Sequence, residues 1–303
     1  MVPEVSDVAN DALSTISRRL WWIRKNGLIN FLLRLSHLRT FELGSLNVNS
    51  DSDTSISDNE NFNRFCREAA RSIDVFRSFR RYRPLIRVLD HVGIDHARNY
   101  IQFVTDEGIS VRSFLPILRE MDSVGSPRKF KFRGLGLVSP TVTRYLKVYV
   151  ELEKIFGKLD GLVIAEIGVG FGGQAYLINR SSKPDKYYLF DLPSTAALAT
   201  SFLNSLNSTG TFEVVDGREP KDVQSDLVIS NYAFSELTRS MQELYLDKVI
   251  SKANKGYMTW NLLSEKVLDG LRLDEVLARI PGAKCIAEVP ETSPGNVIVI
   301  WDR

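Results

Sequence analysis

From residue 161 onward the chain alternates short apolar runs with amphipathic stretches, and this alternation constrains the fold more than any other feature. Leu162–Ile167 shows no in–out alternation, as a strand buried on both faces reads. It runs into Gly168-Val169-Gly170-Phe171-Gly172-Gly173 and then a helix through about Asn179. Further strands are expected at Lys186–Phe190, Thr211–Val215, Asp226–Ser230 and Gly256–Trp260. The intervening helices run from Pro193 to about Leu206, from a Ser240 cap (Glu243 three residues on) to about Lys252, and over about 264–279. The last strands, Lys284–Val289 and Asn296–Trp301, are separated by Pro-Glu-Thr-Ser-Pro-Gly. That loop is too short for a helical crossover, so the pair reads as an antiparallel hairpin. The expectation is an α/β fold: a doubly wound, Rossmann-like sheet of seven strands closed by a C-terminal antiparallel hairpin.

The glycine run fits G-x-G-x-x-G at Gly168, Gly170 and Gly173. The motif is weak alone; here it follows a strand and opens a helix. Glycines let a ligand approach the backbone, and the helix N-terminus favours an anionic group. Asp191 stands at the tip of the second strand, where a carboxylate accepts both hydroxyls of a ribose. The ligand reads as a nucleoside cofactor. Glu166, just before the glycines, suits a ligand with an ammonium group and a cationic sulfur. In a dinucleotide site that carboxylate would repel the pyrophosphate. A dinucleotide fold would also continue with a second mononucleotide-binding half where this chain has a hairpin. Both features favour S-adenosylmethionine over NAD and match class I methyltransferases.

The stretch from Phe132 to Asn261 resembles the sugar O-methyltransferases encoded in bacterial surface-polysaccharide gene clusters. The resemblance rests on Gly134-Leu135-Gly136, on Ser139-Pro140-Thr141 with Arg144-Tyr145-Leu146-Lys147, and on Glu166 through Gln174. It continues in Asp191-Leu192-Pro193, in Ser230-Asn231-Tyr232-Ala233-Phe234-Ser235-Glu236-Leu237, and in Gly256-Tyr257 with Asn261. It implies methyl transfer to a sugar hydroxyl in O-antigen or capsule biosynthesis. By the resemblance Glu166, Gly168, Gly170, Gly172 and Gly173 line the cofactor's amino-acid end, Asp191 its ribose, and Asp216 faces the adenine. Gln174, Leu192, Ser230 and Asn231 complete the cofactor set.

The N-terminal half reads differently. A net charge of +2 hides an asymmetry: residues 1–150 carry 23 Lys and Arg against 16 Asp and Glu, residues 151–303 carry 16 against 21. Residues 1–135 are expected to form a mainly helical accessory region that closes over the acceptor, and 136–303 the cofactor-binding domain. The opening MVPEVSDVANDA lacks the basic-then-apolar order of a secretory signal. Segment 18–39 reads as basic amphipathic helix, either touching a membrane surface or packed in the core or an oligomer interface. Residues 44–61 form a polar linker ending in the capping-box spacing Ser57-Asp58-Asn59-Glu60. A helix over about 58–80 then carries Arg64, Arg67, Arg71, Arg77, Arg80 and Arg81, as an anion-binding face for the phosphate of a substrate (a phosphorylated or lipid-linked sugar) or of nucleic acid, or as a merely solvated one. Gly125, Pro127, Gly134, Gly136 and Pro140 mark a loop, after which Ser139-Pro140 reads as an N-cap with Pro at the first position of a helix over 140–156. With 44% hydrophobic and 25% charged residues, disordered and fibrous readings are excluded. Two cysteines give neither a disulfide framework nor a zinc set and favour a reducing, cytoplasmic setting.

Open α/β sheets bind ligands beyond the carboxyl ends of their strands. The acceptor is therefore expected near Ser230–Glu236 and Asn261. A sugar hydroxyl is a poor nucleophile at neutral pH, so a general base is expected. Glu236 is the first candidate, its other reading being a carboxylate favouring the next helix N-terminus. Tyr232 is expected to orient the acceptor, and His91 or His96 offers a base from the N-terminal region. No metal ligand set is evident. Asn231-Tyr232-Ala233-Phe234 lacks the paired prolines of adenine- and glutamine-directed methyltransferases, which speaks against a nucleic-acid acceptor. An RNA methyltransferase using the arginines for phosphate contacts, and a non-catalytic cofactor-binding module docked on polysaccharide enzymes, stay open as alternatives.

Overall fold

The computed structural model describes Ser55 and residues 58–262, 264 and 269–303. The expected helix over 18–39, Ser57 and most of the polar linker lie outside the described residues. The described residues belong to one compact unit spanning 51–303.

The chain enters through α1 (Glu60–Arg71), capped by Asn59, whose side chain accepts from the Phe62 N–H at 3.0 Å. The single helix expected over 58–80 is interrupted at Ser72. Ser72 is extended, and its hydroxyl restarts the chain as α2 (Ile73–Phe76) by accepting from Val75 N–H. Next come α3 (Arg83–Leu89), α4 (Ile94–Asp106) and α5 (Leu115–Met121). A two-stranded antiparallel ribbon follows, β1 (Phe130–Phe132) with β2 (Gly136–Val138), where the sequence suggested only a loop.

The arginines of this region do not share one solvent face. Arg67 pairs with Glu60 and Arg77 with Asp74 on the surface. Arg80 is 2% exposed. Its guanidinium donates to Asp90 at 3.0 and 3.2 Å, to Asp122 at 3.0 Å and to the Ser139 hydroxyl at 2.7 Å. A buried cation is tolerated only when so paired.

Ser139 and Pro140 open α6 (Pro140–Phe156) as expected from the sequence, with Pro at the first turn. The Ser139 hydroxyl, however, turns away from the helix and donates to Asp122 at 2.6 Å. The Asp122 carboxylate thus ties Arg80 to the head of α6.

The sheet then builds by βα units: β3 (Val163–Ile167), α7 (Gly173–Ser181), β4 (Lys186–Asp191), α8 (Pro193–Ser205), β5 (Phe212–Asp216), β6 (Ser225–Asn231), α9 (Arg239–Lys248) and β7 (Ala253–Trp260). The short α10 (Leu273–Arg279), β8 (Lys284–Ala287) and β9 (Val297–Asp302) complete it. The strand order is β5-β4-β3-β6-β7-β9-β8. All neighbours are parallel except β9, which runs antiparallel to both β7 and β8. This is the doubly wound sheet expected from the sequence, terminal antiparallel hairpin included. One boundary differs: α9 is capped at Thr238, and Ser240 is its second residue. Glu243 faces Arg279 instead of closing a capping box.

Successive residues of a strand serve opposite cores, which is why the sequence showed no in–out alternation. Ile164, Leu189 and Leu227 pack with Val148, Leu177, Phe202 and the N-terminal Phe62 and Leu118. Ala165, Phe190 and Val228 pack with Tyr245, Leu246 and Val276 on the other face. The accessory helices thus share one core with the sheet. No helix among the described residues is long and apolar enough to cross a membrane.

Candidate active site

The loop after β3 is shaped by close approaches. A methyl group on Gly168 would sit 2.1 Å from the Ala233 side chain, and the residue adopts φ +79°. One on Gly173 would sit 2.3 Å from the Tyr145 ring. The glycines therefore let the loop lie flat between the β6 exit and α6, leaving its N–H groups at the head of α7. Gly170 and Gly172 also have positive φ.

Asp191 crosses to this loop from the tip of β4. One carboxylate oxygen accepts from Gly170 N–H at 2.9 Å, the other from Leu192 N–H at 2.8 Å. Burial pushes its pKa up to about 6, and these N–H groups oppose that rise. Val169 N–H and the Thr195 hydroxyl also act on this half-buried carboxylate, which stands at the strand tip where a hydroxyl-bearing ligand can reach it. Asp216 lies beside it on β5, exposed, accepting from Arg218 N–H. Glu166 is 2% exposed and accepts from the Tyr187 hydroxyl at 2.8 Å. Burial raises its pKa to about 8, so it holds a proton at neutral pH.

Ser230 is a brace: its hydroxyl donates to Ile167 O and accepts from Phe234 N–H, fixing the β6 exit against β3. Two further sequence candidates carry orphaned atoms. The Gln174 amide donates to Tyr145 O, but its Oε1 is buried without a partner, as is Oδ1 of Asn231. Buried polar atoms are nearly always paired, so such atoms mark places where a ligand fits. The group of residues beside the glycine loop thus fits a nucleoside with a polar tail.

Next to this edge a second group of side chains gathers at the exits of β6 and β7. Glu236 and Asn261, singled out separately from sequence, meet here: the Asn261 amide donates to Glu236 at 3.3 Å. Burial raises the Glu236 pKa, against the influence of Asn261 and Arg144. Tyr232 adopts φ +72°, strained for a non-glycine residue. Its hydroxyl donates to Glu288 at 2.5 Å and also bonds Thr292. His91 follows α3 and is reached by solvent, with Nδ1 against Val88 O at 3.2 Å. The ring packs closely enough on the chain, with the Arg144 charge near it, for its pKa to be lowered. His96 lies on α4 against Tyr100, ring centroids 6.4 Å apart.

Three residues of this group were not singled out from sequence as site residues: Arg144, Tyr100 and Thr292. Arg144 carried a legible signal. The positions three and four residues away are Pro140, Thr141, Lys147 and Val148, so it has no acidic neighbour on its own helix.

No protein-family model matches the chain, and no curated protein matches it. Solved structures do. One is a magnesium protoporphyrin IX methyltransferase from Synechocystis with bound S-adenosylmethionine, 13% identical over 54% of this chain and 84% of that one, TM-score 0.40. Another is a methyltransferase from Pyrococcus furiosus, 17% identical over 52% and 81%, TM-score 0.39. A third is an O-methyltransferase family protein from Burkholderia thailandensis, 11% identical over 54% and 57%, TM-score 0.41.

Proposed function

We propose that this chain transfers a methyl group from S-adenosylmethionine to a hydroxyl of a sugar, as a step in building a surface polysaccharide. The observation that carries the reading is Asp191: a half-buried carboxylate at the tip of β4, braced against the glycine loop by Gly170 and Leu192 N–H. That geometry suits a ribose diol. Gly168, Gly170, Gly172 and Gly173 would flank the methionine portion, with Glu166, Gln174 and Asn231 nearby, and Leu192 and Asp216 the nucleoside.

Bound there, the cofactor supplies a methyl group made electrophilic by a positive sulfur. The protein's part is positioning and proton removal. Holding the acceptor oxygen in line at the β6 exit removes an entropic barrier. Glu236 takes the hydroxyl proton; its raised pKa makes it a stronger base than an exposed carboxylate. Asn261 fixes its orientation. Tyr232 is tied to the β8–β9 loop and forms a wall against which the sugar ring rests.

Titration calorimetry with S-adenosylhomocysteine tests this reading. The wild-type chain should bind, and Asp191→Ala should weaken binding by about 10²-fold, the worth of two hydrogen bonds to a charged group. Equal affinity, or no binding by the wild type, removes the assignment.

A further inference from the structure

Arg144 has no counterion among the described residues. The buried cations around it do: Arg80 has Asp90 and Asp122, and Lys147 has Glu151 at 2.5 Å. The Arg144 guanidinium instead lies over two rings, 5.6 Å from the Tyr145 centroid and 5.9 Å from that of Tyr232. The groups acting on it most strongly are the phenols of Tyr145, Tyr232 and Tyr100, and no carboxylate among the described residues lies within ion-pair distance of it. A desolvated charge left unpaired is costly, so the half-buried Arg144 calls for an anion from outside the chain.

A second, independent observation points the same way. The Tyr100 hydroxyl and the Thr141 hydroxyl are buried and reach no partner in hydrogen-bonding geometry. Their residues are 2% and 1% exposed. Thr141 lies one turn before Arg144 on α6, on the same helix face. Tyr100 comes from α4 and acts on Arg144, with the Thr292 hydroxyl also close to its own. One guanidinium and two hydroxyls with no partner in hydrogen-bonding geometry make a donor set for an oxyanion.

The position selects between the ligands of the active site. Asp191 lies on β4, on one side of β3, whereas Tyr232 and its partners Glu288 and Thr292 belong to β6 and the β8–β9 loop, on the other. We infer that the acceptor carries a carboxylate or phosphate, which Arg144 holds together with the hydroxyls of Tyr100 and Thr141 while its own hydroxyl faces Glu236. This rests on the methyltransferase reading above and narrows its acceptor to an anionic sugar.

The test uses the full chain saturated with S-adenosylhomocysteine and three probes: glucose 1-phosphate, glucuronic acid and neutral glucose. Binding is followed by ligand-observed NMR. The wild type should bind at least one anionic sugar about tenfold or more tighter than glucose, the scale of one charge-assisted hydrogen bond. Arg144→Gln should erase that preference, Arg144→Lys should keep part of it, and both should bind S-adenosylhomocysteine as the wild type does. Which anionic sugar binds separates the phosphate from the carboxylate source. No preference for either anionic sugar overturns the inference, as does a preference that survives Arg144→Gln. A tenfold loss of S-adenosylhomocysteine affinity in both variants also overturns it, by giving the guanidinium to the cofactor. Should Arg144→Gln fail to fold, Arg144→Lys and Tyr100→Phe carry the comparison. Failure of the wild type to bind S-adenosylhomocysteine is a separate result, and it removes the underlying methyltransferase reading.

Discussion

The cofactor edge and the proposed acceptor side lie side by side on one sheet but are built in opposite ways. The edge is made by neighbours in sequence: Glu166 through Gln174 form one turn, and Asp191 follows at the next strand tip. The proposed acceptor side draws Tyr100, Arg144, Tyr232 with Glu236, Asn261 and Thr292 from five separate segments. A nucleoside needs the same few contacts wherever it binds, so a short local pattern can encode them. An acceptor is recognised by groups converging from several elements, and their arrangement exists only in the folded chain.

If the two regions have separate duties, they should fail separately. The largest separation is expected from Glu236→Gln. Turnover should drop ~10²–10⁴-fold, with S-adenosylhomocysteine affinity unchanged, measured by product mass spectrometry and calorimetry. A variant with full turnover would move the base elsewhere. Arg80→Ala comes next, because it acts on both regions at once: it leaves Asp90 and Asp122 buried and unpaired beneath the head of α6. Urea denaturation should show a loss of about 3–5 kcal/mol. A loss under about 1 kcal/mol would show that the cluster does not hold the accessory helices to the sheet.

The smallest effect is confined to the cofactor edge. Glu166 has its pKa raised by burial from the ordinary 4.5 to about 8. The folded chain therefore keeps this proton between those values while the unfolded chain has lost it. Stability from this group is present at low pH and falls as pH rises through that window, by at most about 1.4 kcal/mol per pH unit. Asp191, raised to about 6, adds in the same direction at lower pH. Glu166→Gln mimics the protonated form. It should flatten the stability decline between pH 5 and 8, measured by chemical denaturation, and an unchanged slope would place the titration elsewhere.

The same contrast explains what the sequence disclosed. The strand–glycine–helix turn, Asp191, the terminal hairpin and the Ser139-Pro140 helix start are local signals, and each stands where the pattern placed it. Glu236 and Asn261 were legible because both follow strands that exit at one edge. Arg80 was read with the other arginines of its segment, since nothing local tells that Asp122 and Ser139 come to meet it. The break at Ser72 was hidden because the apolar spacing continues across it. Arg144 announced itself only by lacking a local acidic neighbour, and a missing partner becomes informative only once burial is known.

The central claim is that the β3–β4 edge holds S-adenosylmethionine with its reactive end turned toward Glu236. A crystal structure with S-adenosylhomocysteine bound tests it most directly. It should show both ribose hydroxyls on the Asp191 carboxylate, the amino-acid end along Gly168–Gly173, and the sulfur facing Glu236. A ligand bound away from Asp191, or a sulfur turned from Glu236, would contradict it.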